Sequence, residues 1–322
     1  MELKEKILRA LENARGEYLS GEQLAAQFGV SRNAVWKCVR ALEKEGFLLS
    51  SVKNRGYALS AESDVLSAGG IEKFLAGRYA LKVLPETGST NDDAKALAAA
   101  GVPEWTVVLA DAQGAGRGRY SRPFDSPAGV GVYLSVVLRP QIPAAETLFI
   151  TTCAAVAVCE AIESVAGKYA EIKWVNDVCL GRKKVCGILT EASFDVESGG
   201  LAWAVVGIGV NVKYREFPPP LARVAASVFG EGEYPAEGRA KIAAAILDRF
   251  RYYYERICER AFYPEYKRRS FVLGQSVTVL SGTLSGEAQV LDLDENCFLV
   301  VRFADGTVRH LSGGEVSIRP KF

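Results

Sequence analysis

Apolar residues recur at helical spacing from the first residues of the chain. Leu3, Ile7, Leu8 and Leu11, with Gly16 breaking the pattern, predict a short amphipathic first helix. Ser20 with Gln23 three residues on makes a capping box, so a second helix begins at Gly21 or Glu22 and turns Leu24, Ala25 and Phe28 inward. Gly29 permits the left-handed turn that ends it. Ser31 then caps a third helix with the buried stripe Val35, Cys38, Val39 and Leu42. After Gly46 the period changes, and Phe47 to Leu59 reads as two short strands around Lys53-Asn54-Arg55-Gly56. The succession predicts a winged helix-turn-helix over residues 1–62, followed by a short polar linker at Ser60 to Asp64.

Between about residues 65 and 270, strand-like runs alternate with helical patterns. The strands are Trp105 to Ala110, Val130 to Val137, Glu171 to Trp174, Val185 to Glu191 and Ala202 to Val210; the helices are Asn91 to Ala100, Ala144 to Val165 and Glu237 to Arg260. This is an α+β pattern, a mixed sheet with helices mainly on one side. Over residues 271–322, short apolar strands start at Ser276, Ala288, Cys297, Thr307 and Glu315. Tight turns at Ser281-Gly282, Asp294-Glu295-Asn296, Asp305-Gly306 and Gly313-Gly314 separate them, the pattern of a small β-barrel.

Lys and Arg total 39 against 38 Asp and Glu, so no cationic field covers the whole molecule and any nucleic-acid surface must be local. One such surface exists: Ser31 to Tyr57 holds six basic residues and two acidic ones. Ser31, Arg32, Asn33, Trp36, Lys37 and Arg40 fall on the outer face of the third helix, and Lys53 and Arg55 on the wing. Side chains of these types reach base edges and phosphates from a major groove. A protein-interaction module with a solvated basic face is the alternative.

The seven cysteines lack a C-x-x-C pair and sit mostly in apolar runs, so neither disulfides nor a zinc site are expected. The single histidine, His310, reads as a strand residue and leaves little room for a Ser/His/Asp triad or a histidine-bound metal. The start of the chain is charged and helix-forming, unlike a signal peptide, and the apolar stretch from Thr147 to Ile162 reads as too short for a membrane span. A cytoplasmic protein without a membrane partner is expected. Its chemistry falls to Lys, Arg, Asp, Glu and backbone groups, which points to phosphate or acyl-phosphate reactions.

Four segments carry candidate chemistry. In Gln113-Gly114-Ala115-Gly116-Arg117-Gly118-Arg119-Tyr120-Ser121-Arg122-Pro123, three glycines bare backbone amides and three arginines add charge, so an anion is expected there. The string fits neither a Walker loop nor a dinucleotide fingerprint, and a flexible surface loop is the alternative. Lys173-Trp174-Val175-Asn176-Asp177 closes one strand and Lys184 to Glu191 opens the next, setting two lysines, an amide, a carboxylate and Gly187 around one hairpin. Ser89, Thr90 and Asn91 precede a helix and either cap it or bind a polar ligand. Gly207 and Gly209 thin an apolar strand that runs to Asn211, as where something flat or narrow lies against a sheet.

The ordered set Ser89-Thr90-Asn91, Gly116 to Arg119, Lys173 to Asp177, Lys184 to Glu191 and Gly207 to Asn211 resembles the biotin-protein ligase family. The module order resembles its bifunctional members that also repress the biotin operon. The resemblance implies the biotin/lipoate ligase type of central domain. It also implies ATP with magnesium, biotin as substrate, no tightly bound metal, and activation as biotinyl-5'-adenylate before transfer to a lysine of a biotin carboxyl carrier protein. It further implies binding to biotin operator DNA and a homodimer when the adenylate is bound.

Residue by residue, the resemblance makes Lys184, Arg119 and Arg117 catalytic. Biotin falls to Ser89, Thr90, Asn91, Gln113, Gly116, Arg117, Gly118, Arg119, Lys184, Gly187, Ile188 and Gly209. The nucleotide falls to Arg119, Arg122, Phe124, Asn176, Asp177, Lys184 and Asn211, with Asp177 also placed near the metal. Lys183 is one residue out of register with the motif. The chain departs from the family pattern at Tyr120-Ser121, where another basic residue and a glycine are usual, at Val175 for a common proline, and at Phe124 for a common tryptophan. Two other readings stay open: a ligase whose helix-turn-helix does not regulate transcription, and a non-catalytic transcription factor that senses a small anion.

Overall fold

The protein is described from a computed structural model over residues 2–195, 200–281 and 284–318. Three helices open the chain, α1 (Leu3–Asn13), α2 (Gly21–Phe28) and α3 (Arg32–Lys44), followed by the strand pair β1 (Leu49–Val52) and β2 (Gly56–Leu59). The Ser20 side chain accepts from the Glu22 amide while Gln23 reaches back to the Ser20 amide, and the Ser31 side chain accepts from Ala34. Gly29, with φ 65°, ends α2 in the left-handed region. Ile7, Leu11, Leu24, Val35, Val39, Leu42, Phe47 and Leu59 form this module's own core, while Leu3, Leu8, Phe28 and Cys38 sit half-buried at its margin.

The linker is not slack. Arg15 donates to the carbonyls of Ser60 (3.2 Å) and Ser63 (2.6 Å), Ser63 is buried, and Asp64 accepts from Arg239 Nε at 2.9 Å and from the Tyr234 hydroxyl at 2.5 Å. Small polar composition describes this segment's local freedom, and the cations that hold it lie far away in sequence. The short helix α4 (Ala68–Glu72) leads into the central domain.

There the chain forms β3 (Ala80–Thr87), α5 (Thr90–Ala99), β4 (Thr106–Gln113), β5 (Gly131–Leu138), α6 (Leu148–Ala166), β6 (Glu171–Lys173), β7 (Asp177–Leu180), β8 (Lys183–Phe194), β9 (Leu201–Asn211), α7 (Gly238–Tyr254) and α8 (Tyr263–Arg269). The seven strands lie in the order β3-β4-β5-β9-β8-β7-β6, and only β3 and β4 run parallel. Alternation along β4 sends Val107 and Leu109 into the large core with α6 and α7. Val108 faces the other way, where α5 alone packs Ala94 and Ala98 against Val108, Val137 and Val205. That second face is only partly covered, and the functional cleft opens beside α5.

Three expectations change. Strand β7 stands between the two motifs that were assigned to one hairpin, so Asp177 begins a strand of its own; its apolar run is only three residues, too short to be separated from a turn. Helix α7 ends at Tyr254 instead of running on to Arg260. The apolar stretch read as too short for a membrane belongs to a helical segment, Ala144–Ala166, of 23 residues, long and apolar enough by length and composition to cross one. Most of it is buried against the sheet and α7, as in the core helix of a folded domain.

The last strands, β10 (Ser276–Ser281), β11 (Leu284–Leu293), β12 (Leu299–Phe303), β13 (Val308–Leu311) and β14 (Glu315–Ile318), form an antiparallel sheet in the order β13-β12-β11-β10-β14. The first strand pairs with the last, and β13 and β14 are the sheet's edges with no pairing between them among the described residues, so an antiparallel sheet stands where a closed small β-barrel was expected. Of the expected turns, Gly282 lies outside the described residues. His310 is an exposed residue of β13 whose Nδ1 lies 2.7 Å from Asp294.

Candidate active site

A cleft of about 320 Å³ lies between the start of α5, the loop after β4, and the β6–β7–β8 corner. At one end Ser89, Thr90 and Asn91 are all buried. The Thr90 amide (2.9 Å) and hydroxyl (3.1 Å) both donate to Gln113 Oε1, whose amide nitrogen donates to Ser126 Oγ at 2.9 Å. Ser135 donates to Thr90 Oγ1 (2.8 Å) and Asn91 Oδ1 (2.6 Å), and Asn91 Nδ2 donates to Glu191 at 2.8 Å. Thr90, Asn91, Gln113 and Ser135 orient one another, the arrangement that holds a buried polar ligand in one pose.

The two glycines of β9 are filled from the protein itself. A Cβ at Gly207 would stand 2.1 Å from Asn91 Oδ1, and one at Gly209 would stand 2.6 Å from the Phe124 ring. Gly207 therefore serves Asn91, and Gly209 serves the ring that crosses the cleft floor. Asn211 follows at the end of β9, buried but outside the cleft lining.

The glycine-arginine loop folds back on itself. Gly114 and Ala115 donate to the carbonyls of Thr87 and Gly88, Gly118 to Arg122, and Phe124 to Gly116, so these amides are not bare as the glycine spacing suggested. Gly116 lies outside the cleft lining because the chain passes too close: a Cβ there would meet the Phe124 carbonyl at 2.6 Å. What the loop brings to the cleft is side-chain charge. Arg117, however, is turned onto carboxylates. It clasps Asp92 with two bonds of 2.5 Å and reaches Glu191 at 3.3 Å, while Lys95 bridges the same two acids at 3.0 and 2.8 Å. Its hydrogen bonds hold the Asp92 carboxyl well below the usual range. Burial alone would raise Glu191, yet Lys95 and Asn91 outweigh it and hold it below its ordinary value. Arg117 thus straps the loop to α5 and β8 instead of offering a free cation.

Arg119 and Lys184 do face the cleft. Arg119 donates to Asn176 Oδ1 at 3.1 Å and to the Gly314 carbonyl at 2.8 Å, so the C-terminal sheet reaches the same end. Asn176 in turn donates to the Ile188 carbonyl at 2.9 Å. Lys184 Nζ lies 2.7 Å from Asp177 and crosses Gly187, where a Cβ would come within 3.0 Å of it. Lys183 points away, exposed, toward the Ala222 carbonyl. Arg122 also lines this end. On the far module Ser31, Arg32, Asn33, Trp36, Lys37, Arg40, Lys53 and Arg55 are all exposed, with Arg55 stacked 4.2 Å over Tyr18.

Residues 83–211 match the biotin/lipoate A/B protein ligase family, 4–58 an HTH domain, and 272–319 the biotin protein ligase C-terminal domain. A bifunctional ligase/repressor BirA of Bacillus spizizenii is 34% identical over 94% of this chain and 95% of its own. The chain belongs to the bifunctional ligase/repressor family. The Escherichia coli BirA is 28% identical over 98% of this chain and 96% of its own. Among solved structures, the biotin protein ligase of Aquifex aeolicus in complex with biotin and ATP superposes with a TM-score of 0.63 at 27% identity, covering 75% of this chain and 99% of that one.

For a ligase/repressor of this family, the site also includes residues that motif reading missed. Leu221 and Val224 line the cleft because their segment runs beside Lys184, whose amide donates to the Val224 carbonyl and whose carbonyl accepts from Ala226. Gly314 and Val316 arrive from the last sheet. Trp174 is fixed by its indole N–H, which donates to the Cys297 carbonyl at 2.9 Å, and the Tyr266 hydroxyl donates to the neighbouring Val175 carbonyl. The apolar Val224-Ala225-Ala226 run after three prolines was the one sequence signal for the first of these; the others are long-range contacts with none. At the departures from the family pattern, Tyr120 and Ser121 both take positive φ, 56° and 55°, and Tyr120 is exposed under the Arg119 guanidinium.

Proposed function

We propose that this chain is an ATP-dependent biotin ligase that also represses biotin genes. In the first step a biotin carboxylate oxygen bonds to the α-phosphorus of MgATP, the bond from that phosphorus to its bridging oxygen breaks, and pyrophosphate leaves with the electron pair. In the second, a lysine amine of a biotin carboxyl carrier protein attacks the acyl carbon, the acyl–phosphate bond breaks, AMP leaves, and the amine proton passes to solvent.

One observation carries the reading. Lys184 crosses the glycine floor at Gly187 where the polar-lined end of the cleft meets its cationic end. Two anions about 4 Å apart repel by several kcal/mol at an effective dielectric near 20, and a cation at that junction offsets it. Lys184 steadies the biotin carboxylate and the growing charge on phosphorus, and Arg119 and Arg122 hold the phosphates. Ser89, Thr90, Asn91 and Gln113, with backbone of the loop at Arg117 and Gly118, take the ureido ring. Gly187, Ile188 and Gly209 line the valerate chain. Phe124 leaves the glycine floor to stack on adenine, with Asn176 and Asp177 alongside.

Asp177 is the one carboxylate among the described cleft-lining residues, and it is paired with Lys184. The donor set therefore suits magnesium arriving with ATP as part of the substrate, and not a resident metal. Pyrophosphate exchange into ATP that depends on biotin, followed by a mass gain on a carrier domain, tests the ligase. Exchange without biotin dependence would reject it.

For the repressor role, the exposed basic face of α3 with its wing supports operator binding, two half-sites requiring a homodimer, with the adenylate as corepressor. Residues 1–62, 65–270 and 271–322 act as the DNA-binding, catalytic and C-terminal domains of a cytoplasmic protein. A mobility shift that sharpens when biotin and ATP are supplied together checks this; binding indifferent to them removes the corepressor role.

A further inference from the structure

We propose that Arg239 is a positioning residue through which the winged helix holds both walls of the ligation cleft, a regulation that rests on the ligase reading above. Arg239, in the first turn of α7, is only 2% exposed although charged. It donates to Asp64 of the linker at 2.9 Å and to Asp111 of β4 at 2.5 Å. A buried guanidinium is stable only with its partners in place, so the three groups act as one unit.

Each carboxylate leads somewhere functional. Asp111 stands two residues before Gln113 on the same strand, and its second oxygen accepts from the Gly129 amide at 3.1 Å, pinning both ends of the segment that contains the glycine-arginine loop. Asp64 also pairs with Lys213 at 2.8 Å, at the root of the segment that carries Leu221 and Val224 along the opposite wall. Asp64 itself is fixed to α1 through Arg15, which grips the linker carbonyls just before it. A displacement of α1 on DNA is thereby delivered to two cleft segments, and a ligand that orders those segments is reported back to α1.

A neighbouring cluster supplies the control. Buried Ser67 caps α4 by accepting from the Gly70 amide and donates to Glu12 of α1, joining the same two domains without touching Arg15, Asp64, Asp111 or Lys213. In the full-length protein, Asp64→Asn and Lys213→Met are expected to raise the KM for biotin in pyrophosphate exchange by about fivefold or more, with kcat within about twofold. Lys213→Met leaves Arg239 paired and so keeps the fold. Amide hydrogen exchange should quicken in residues 113–124 and 213–226 in Asp64→Asn, and in residues 213–226 in Lys213→Met. Ser67→Ala, which removes a helix cap, should lower the melting temperature and leave KM and these two segments unchanged. Equal KM shifts in Ser67→Ala and Asp64→Asn, or melting losses without any KM or exchange change, overturn the hub. Wild-type protein inactive in exchange would overturn the ligase reading instead, and the hydrogen-exchange contrast would still decide the hub.

Discussion

The two functional surfaces of this chain are built on opposite electrostatic plans. On α3 and the wing, Arg32, Lys37 and Lys53 are exposed and make no ion pair among the described residues, so their charge is available to a phosphate backbone. In the cleft Arg117 binds Asp92 and Glu191, Lys184 binds Asp177, and Arg119 binds Asn176 and a carbonyl. A surface that meets DNA tolerates mobile side chains, whereas a site that aligns two reacting anions needs each cation held before they arrive. Substitutions on the first surface should therefore act singly and weakly with pH, and those in the cleft should also release a partner.

The sharpest break in that comparison is Lys184→Ala. It should lower biotin-dependent pyrophosphate exchange by about a hundredfold or more while circular dichroism stays unchanged, because the lysine is half-exposed and carries no core packing. Near wild-type exchange would move the critical cation elsewhere in the cleft. Next in size is Arg32→Ala on the first turn of α3. Operator affinity should fall by about 1–3 kcal/mol, with a shallower salt slope and adenylation untouched. An equal loss of adenylation would mean that the two surfaces are not separable.

How far the molecule was legible from sequence follows the same division. The caps at Ser20 and Ser31, the stripe Val35, Val39 and Leu42, and the exposed face between them are consequences of spacing within a dozen residues, and they were readable one helix at a time. The cleft motifs were readable as an ordered set only through their resemblance to a known family, and the structure places Lys184, Gly187 and Gly209 on the adjacent strands β8 and β9. Partner choice was not. That Arg117 turns to Asp92, that Gly207 makes room for Asn91, and that Cys297 and Gly314 reach Trp174 and Arg119 depend on contacts across 25 to 195 residues of chain. No periodicity records them. Strand β7 was lost for the opposite reason, being too local: four residues between two turns carry no alternation.

The Arg117 strap makes a prediction with a pH signature. Asp92 and Glu191 are both held below their ordinary values of 3.8 and 4.5, so the stabilisation they contribute is complete above those values and is lost as pH falls through the lower folded ones. Asp92→Asn should raise the KM for biotin about threefold to tenfold by loosening the loop. It should also flatten the acid limb of a melting-temperature profile below about pH 4.5. An acid limb identical to wild type would show that the strap does not bind loop to helix in solution.

The smallest effect expected is at the loop tip, and it tests how far preorganisation goes. Ser121 sits at φ 55°, a conformation that disfavours a side chain by about 1 kcal/mol relative to glycine. Ser121→Gly relieves that cost but frees the unfolded chain by a comparable amount, about 0.4–1 kcal/mol, so the melting temperature should move little. An unconstrained open loop is freed by the same amount, so loop closure should shift as little as the fold does. Adenylate retention, measured by chasing labelled intermediate off the enzyme, should therefore stay within about twofold of wild type. A shorter retention would mean that the restricted serine backbone helps order the loop, and that Tyr120-Ser121 stiffens the tip where the family's usual glycine would let it move.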